Sequence, residues 1–253
     1  MYKEIQYKKT YLKEVIVRID FSAHFKNLQK NMPTNISNKV LERFSISEPA
    51  NMIAQEFQVS PKGVKQQQEH FMQWNYYGRN REKRLTIDME KFFISYSRYS
   101  NFEELKEDFL GILDLLFKED IELRGKRLGL RYINNIKMKD CDPFNWEKYI
   151  DKKLLCLFNR FHDERSSITR IFHVVEYKHD NEIQVKFQFG VPNPDFPAKI
   201  TRPLFVLDID AYIQELLDFQ QIKNHLENSH DYIQRLFEQS ITSDLREIMN
   251  EEE

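Results

Sequence analysis

Apolar positions along the chain follow two periods, one of two residues and one between three and four. In EVIVRIDF, 14–21, Val15, Val17 and Ile19 face one way and Arg18 and Asp20 the other, which predicts a strand. The segment 26–50 is polar and interrupted by Pro33 and Pro49, with one weak helical stretch at 37–44. MIAQEFQV, 52–59, reads as a second strand. HFMQWNYY (70–77) and KRLTIDMEKFFISYS (83–97) flank Gly78-Arg79-Asn80-Arg81-Glu82, the pattern of a β-hairpin with a basic turn. Alternation in the second run changes phase at Glu90-Lys91, which predicts a bulge.

The longer period begins at NFEELKEDFLGILDLLFKE. Asn101 is a helix cap with Glu104 three residues later, as in a capping box. Phe102, Leu105, Phe109, Ile112, Leu113 and Leu116 then form one apolar face. RLGLRYINNIKM, 127–138, returns as a strand. Asp142-Pro143 opens a second predicted helix with the stripe Trp146, Ile150, Leu154, Leu157 and Phe161. Residues 168–177 and 182–190 form another hairpin around His179-Asp180-Asn181. The loop 190–197 is too proline-rich for a central strand, and 203–209 is a further strand. A long helical stretch closes the chain at roughly 211–239, with another turn or two after 242. Within it Phe219, Ile222, Leu226, Ser229, Ile233 and Leu236 step by three and four, a short heptad seam.

These elements predict an α+β fold. Antiparallel hairpins form one or two sheets, covered by about three helices, with a long C-terminal helix. The expected organisation is a single compact domain over 1–253, with two loosely alike lobes at 1–140 and 141–253. Composition adds exclusions. The chain has only 6 Gly beside 20 Phe and 12 Tyr, and its glycines at 63, 78, 111, 125, 129 and 190 make neither GxGxxG nor GxxxxGK[ST]. Rossmann, P-loop and kinase-type nucleotide binding are thereby set aside, and no cofactor is expected. The two cysteines, Cys141 and Cys156, have no metal-type spacing and read as reduced cytosolic thiols. Cys156, among apolar neighbours of the second predicted helix, reads as buried and inert. The first residues carry no apolar signal core, and no run approaches the roughly 18 apolar residues of a membrane span. The expectation is a cytoplasmic protein with no membrane partner.

Several of these segments, taken together, have the look of a family. KEVIVRIDF, the hairpin strand followed by SRYSNFEEL, RLGLRYINNI, and FVLDID before a helix bearing SHDYIQRLFEQSITSDLREIM occur in one order. In that order and spacing the chain resembles a sporadically distributed family of prokaryotic proteins of about 250 residues that has no assigned function. The most distinctive parts are LGLRYIN and the helix with His230-Asp231, Phe237 and Ser240-Ile241-Thr242. The resemblance implies a patchy bacterial or archaeal distribution, of the kind common among conflict and anti-phage genes. It implies no catalytic residues.

Candidate chemistry is sparse. HExxH and GxSxG are absent, so no catalytic residue is assigned. His162-Asp163-Glu164-Arg165 reads as a polar loop after a helix, with acid–base work as its alternative. Asp208 and Asp210 are the candidate metal pair, since i and i+2 on a strand lie about 7 Å apart on one face. The competing reading has Asp210 capping the next helix and Asp208 facing solvent. His230-Asp231 reads as a hydrogen-bonding pair on the helix surface, with pH sensing as the alternative.

The basic clusters carry more weight. Arg79, Arg81, Lys83 and Arg84 crowd the first hairpin beside Trp74, Tyr76 and Tyr77, and Arg124, Lys126, Arg127 and Arg131 crowd one end of a strand. Cations beside aromatics suit phosphates and stacked bases. The candidate nucleic-acid residues are those eight cations with Trp74 and Tyr77. The net charge of −2 gives no global basic signature. The favoured expectation is therefore a non-enzymatic binding or regulatory component of a bacterial conflict or anti-phage system. It would recognise a partner protein from a neighbouring gene. The seam residues Phe219, Ile222, Leu226, Ile233 and Leu236 are the candidate interface for that partner or for a homo-oligomer. The alternative is a nucleic-acid-binding protein or nuclease using the clusters at 79–84 and 124–131.

Overall fold

The computed structural model describes residues 5–60, 63–139, 142–180 and 182–250. In chain order the first elements are β1 (Leu12–Phe21), α1 (Thr34–Arg43), β2 (Ile46–Ser47), β3 (Ala50–Ser60), β4 (Gly63–Tyr77), β5 (Lys83–Ile87) and β6 (Lys91–Tyr96). Then come α2 (Phe102–Glu119), β7 (Gly125–Lys137), α3 (Cys156–Arg160), β8 (Ile171–His179), β9 (Ile183–Val191), β10 (Leu204–Ile213), α4 (Phe219–Ser240) and α5 (Ser243–Asn250). The fold is α+β. No described helix is long and apolar enough to cross a membrane.

The chain divides into two compact units, one of 16–128 with 214–224, the other of 1–15, 129–213 and 225–253. Three of the four divisions fall inside β1, β7 and α4, and the fourth follows the end of β10 at 213/214. In the first unit the strand order is β2-β4-β5-β6-β1, and β3 pairs β4 off this path. The run 83–97 is two strands and not one bulged strand. Lys83 pairs Tyr96 and Ile87 pairs Phe92 across an antiparallel hairpin. The phase change at Glu90-Lys91 is its turn, because the Asp88 carboxylate accepts the N–H groups of Glu90 (2.9 Å) and Lys91 (3.0 Å). Helix α2 starts where the capping pattern puts it, with Asn101 Oδ1 accepting the Glu104 N–H at 2.8 Å. Its apolar face is buried, and Phe109 stacks on Phe92 of β6 with ring centres 4.9 Å apart.

β3 and β4 reach further than the sequence pattern suggests. Eleven antiparallel pairs run from Ala50↔Gln73 to Ser60↔Gly63, so β4 begins at Gly63 and not at His70. Only Trp74–Tyr77 of β4 also pair β5. The rest is a two-stranded ribbon. Its base is tied to the segment before α1 by Met72 N–H on the Gln29 carbonyl (2.9 Å) and by Trp74 Nε1 on the Leu28 carbonyl (3.0 Å).

In the second unit the strand order is β1-β7-β10-β9-β8. The hairpin expected around residue 180 is β8–β9, with nine antiparallel pairs. Asn181 and Cys141 lie outside the described residues. The helix expected from Pro143 to Phe161 is replaced by a turn-rich segment and the short α3. Backbone pairing with distant chain competes for it. Ile150 bridges Ile241, Asp151 N–H donates to the Ser240 carbonyl, and Thr242 N–H donates to the Tyr149 carbonyl. Trp146 is still fully buried, against Phe205, but Leu157 and Phe161 are exposed. Cys156 is exposed too, contrary to the buried thiol expected. The last long helix starts at Phe219 and not at 211, because β10 continues to Ile213. The reciprocal bonds of Asp218 and Gln221, side chain to N–H at 2.8 and 2.9 Å, form its capping box.

Gly190 in β9 requires glycine. Its φ is +135°, and a Cβ there would stand 2.3 Å from the Ile171 carbonyl oxygen on β8. Gly111, inside α2, has open space where its Cβ would be. Gly190→Ala should therefore cost about 1–3 kcal/mol. Gly111→Ala should add about 0.5–1 kcal/mol by reducing the freedom of the unfolded chain. Urea unfolding of the two variants beside the natural protein checks both signs.

Candidate functional site

The basic hairpin does not present four free cations. Lys83 continues the inward phase of Leu85 and Ile87 and is 7% exposed. Its Nζ donates to Asp108 Oδ2 at 2.7 Å. The Tyr96 hydroxyl donates to the same oxygen, and Arg43 Nε approaches the other at 2.8 Å. Burial, then this bond to a carboxylate, holds the Tyr96 phenol well above its usual range. Glu104 stands 3.5 Å from Lys83, and the Ser100 hydroxyl above all holds its carboxyl below the ordinary value. Asp108 thus has both oxygens occupied by donors, which is a structural role and not that of a general base.

Arg84 donates to Asn75 Oδ1 (2.9 Å) and Thr86 Oγ1 (3.1 Å). Arg81 pairs with Glu48 and lies over the Tyr77 ring, 4.6 Å from its centre. Trp74 is half-buried through its bond to Leu28, and Tyr76 is buried. Arg79 is exposed.

The second basic set is also divided. Arg124 donates to the carbonyls of Ile121 and Leu123. Lys126 is exposed and Arg127 half-exposed on β7. Arg131 forms a two-point pair with Asp208, Nε to Oδ1 at 2.8 Å and Nη2 to Oδ2 at 2.6 Å, which raises the guanidinium pKa. Gln188 Nε2 adds a third bond to Asp208 at 3.0 Å.

Asp208 is 5% exposed and does not face solvent, and Asp210 lies on β10 and caps no helix. Among the described residues no group of three or more His, Cys, Asp or Glu is placed to hold a metal. His162 and Asp163 form an exposed pair at 3.4 Å.

Of the seam on α4, Ile222, Leu226 and Ile233 are buried within the chain, while Phe219 and Leu236 are half-buried. Phe219 meets Phe117 edge-on. His230 is not on the helix surface. It is 8% exposed, and its Nδ1 lies 3.0 Å from the Tyr132 hydroxyl. Two further groups were not evident from sequence. The Tyr7 hydroxyl and Arg246 both bond the buried Glu238. Burial, with that carboxylate partner, pushes the Tyr7 phenol up. A polar cleft of about 260 Å³ lies beside α4, where His179 stacks on Tyr232 among Asp180, Glu182, Asp231 and Arg235.

Beyond its base, the β3–β4 ribbon presents two distinct faces. Strand alternation and the β3–β4 register put Asn51, Ile53 and Gln55 on one face, opposite Met72, His70 and Gln68, with Val64 and Gln66 on that face of β4. None of these eight is Asp, Glu, Lys or Arg, in a chain that is 31% charged. Glu69 takes the other face. Ile53 is 55% exposed and Val64 64%. Sequence alternation alone could not reveal this face, because it depends on a register reaching past His70. Comparison with protein-family models and with curated proteins finds no match to this chain.

Two measurements test these assignments. Asp108→Ala leaves Lys83 buried without its main partner and should cost about 3–5 kcal/mol in urea unfolding. His173, on β8, is held below its ordinary value of 6.5 by burial, so the unfolded chain binds the proton more readily. Its contribution is full above pH 6.5 and is lost as pH falls through the lower folded value. His173→Gln should therefore flatten the decline in stability measured from pH 7.5 downwards.

Proposed function

We propose that the chain is a non-enzymatic binding or regulatory component that recognises a partner protein through the uncharged face of the β3–β4 ribbon. That face carries the reading. Asn51, Ile53, Gln55, Val64, Gln66, Gln68 and His70 are exposed there, and none of them is Asp, Glu, Lys or Arg. Exposed apolar surface rimmed by polar groups is the usual mark of a protein-binding site. The seam of α4 is a poorer choice, because its central residues are already buried. The biological setting, a bacterial conflict or anti-phage system in the cytoplasm, rests on the resemblance to the patchily distributed prokaryotic family. The partner would be the product of a neighbouring gene.

The nucleic-acid reading loses support from the same geometry. Lys83, Arg84, Arg81 and Arg131 are each engaged by protein groups. Counterion release needs cations that are free to meet phosphates.

The test is a pull-down of neighbouring gene products with three forms of the protein. The natural chain and Arg79→Ala/Arg81→Ala/Arg84→Ala should retain the partner. Ile53→Glu/Val64→Glu should weaken retention by about tenfold or more, equivalent to roughly 1.4 kcal/mol. A steeply salt-dependent shift of DNA or RNA, abolished in the triple arginine variant, would overturn this reading.

A further inference from the structure

Gly111 stands inside α2, where alanine would be the more stable residue, and a Cβ there would meet nothing within 4 Å. The open space belongs to a cleft of about 260 Å³ between α1 and α2. Both helices lie in the first compact unit. The glycine and the buried Ile112 give the cleft an apolar floor. Its polar groups differ in how far they are engaged. Lys39 Nζ pairs Glu42 at 2.7 Å, and Asp108 has both oxygens met. Arg43 gives only its Nε to Asp108, since its Nη2 stands 3.8 Å from Glu104, beyond hydrogen-bond reach. Glu107, one turn before Gly111, is exposed and has no hydrogen bond or ion pair among the described residues.

We propose that this cleft binds a free amino acid with an apolar side chain. The outer nitrogens of Arg43 form a fork that takes the ligand carboxylate at two points. Glu107, on the other helix, accepts from the ligand ammonium. The Lys39–Glu42 pair cancels its own charge, so one available cation and one available anion remain. A simple anion or a simple cation satisfies only one of them, and a zwitterion satisfies both. The ligand side chain lies over Gly111 against Ile112, in the room that a Cβ would narrow. An apolar floor with a few convergent polar groups is the usual form of a small-molecule site. Glycine in mid-helix thereby gains a reason, because α2 gives up stability for space. The ribbon contributes no residue to the cleft, so this site is additional to the recognition face.

Equilibrium dialysis of the full chain against radiolabelled L-leucine tests this, with circular dichroism showing that each variant is folded. The natural protein should retain the label. Unlabelled isocaproate, which is leucine without its ammonium, and isoamylamine, which is leucine without its carboxylate, should each compete about tenfold less well than leucine itself. Gly111→Leu puts a side chain into the cleft and should abolish retention. Glu107→Gln should raise the dissociation constant for leucine about tenfold and leave that for isocaproate unchanged. A natural protein that retains no leucine overturns the proposal, as does retention unaltered by Gly111→Leu. Competition by either analogue equal to that of leucine overturns it too, since the site would then need only one charge.

Discussion

A charge taken out of water must be met by an opposite charge or by several donors. Among the described residues four buried carboxylates set that requirement; Asp88, 1% exposed, is met by the N–H groups of its own turn and by Lys91, and the other three reach between elements. Asp108, Asp208 and Glu238 are 4%, 5% and 7% exposed, and each is met by cations from other elements. Asp108 of α2 takes Lys83 from β5 and Arg43 from α1. Asp208 of β10 takes Arg131 from β7, and Glu238 of α4 takes Arg246 from α5. Each pair fixes which elements are neighbours and in what register. Its net stabilisation is small beside the cost of leaving one partner alone, so these pairs specify the arrangement more than they strengthen it. They also decide what the surface lacks, since cations satisfied internally do not offer themselves to phosphates.

How much was legible follows from how local each determinant is. Asn101, Glu104 and the apolar stripe of α2 are local signals, and the helix begins where they place it. The β8–β9 hairpin is short-range and was equally plain. The helix expected at 143–161 failed because Tyr149, Ile150 and Asp151 pair with Ser240, Ile241 and Thr242, far along the chain. Period alone cannot weigh a distant backbone partner against a helical turn. Asp218 and Gln221 cap α4, but the sequence pattern extends the helix back to 211, where the alternation of β10 continues to Ile213.

The site residues divide in the same way. Lys83 in phase with Leu85 and Ile87, and Asp108 between Leu105 and Ile112 on an apolar stripe, are each anomalous for a charged residue. Read together, they point to a buried pair and away from a basic patch. The ribbon was half legible. MIAQEFQV was evident as a strand, but Gly63 and the glutamine run gave no sign that β4 begins so early. Glutamine favours helix by itself, so there the pairing with β3 overrides local preference.

Loss of formal charge from one side of the ribbon has a thermodynamic consequence. An association made there owes little to Coulomb attraction, so raising the ionic strength does not screen it away. Its driving force is the release of water from apolar and amide surface, which grows with temperature over the physiological range and fades on chilling. A complex of this kind would survive washes that strip electrostatic binders from a resin, and would come apart more readily in the cold room than at the bench.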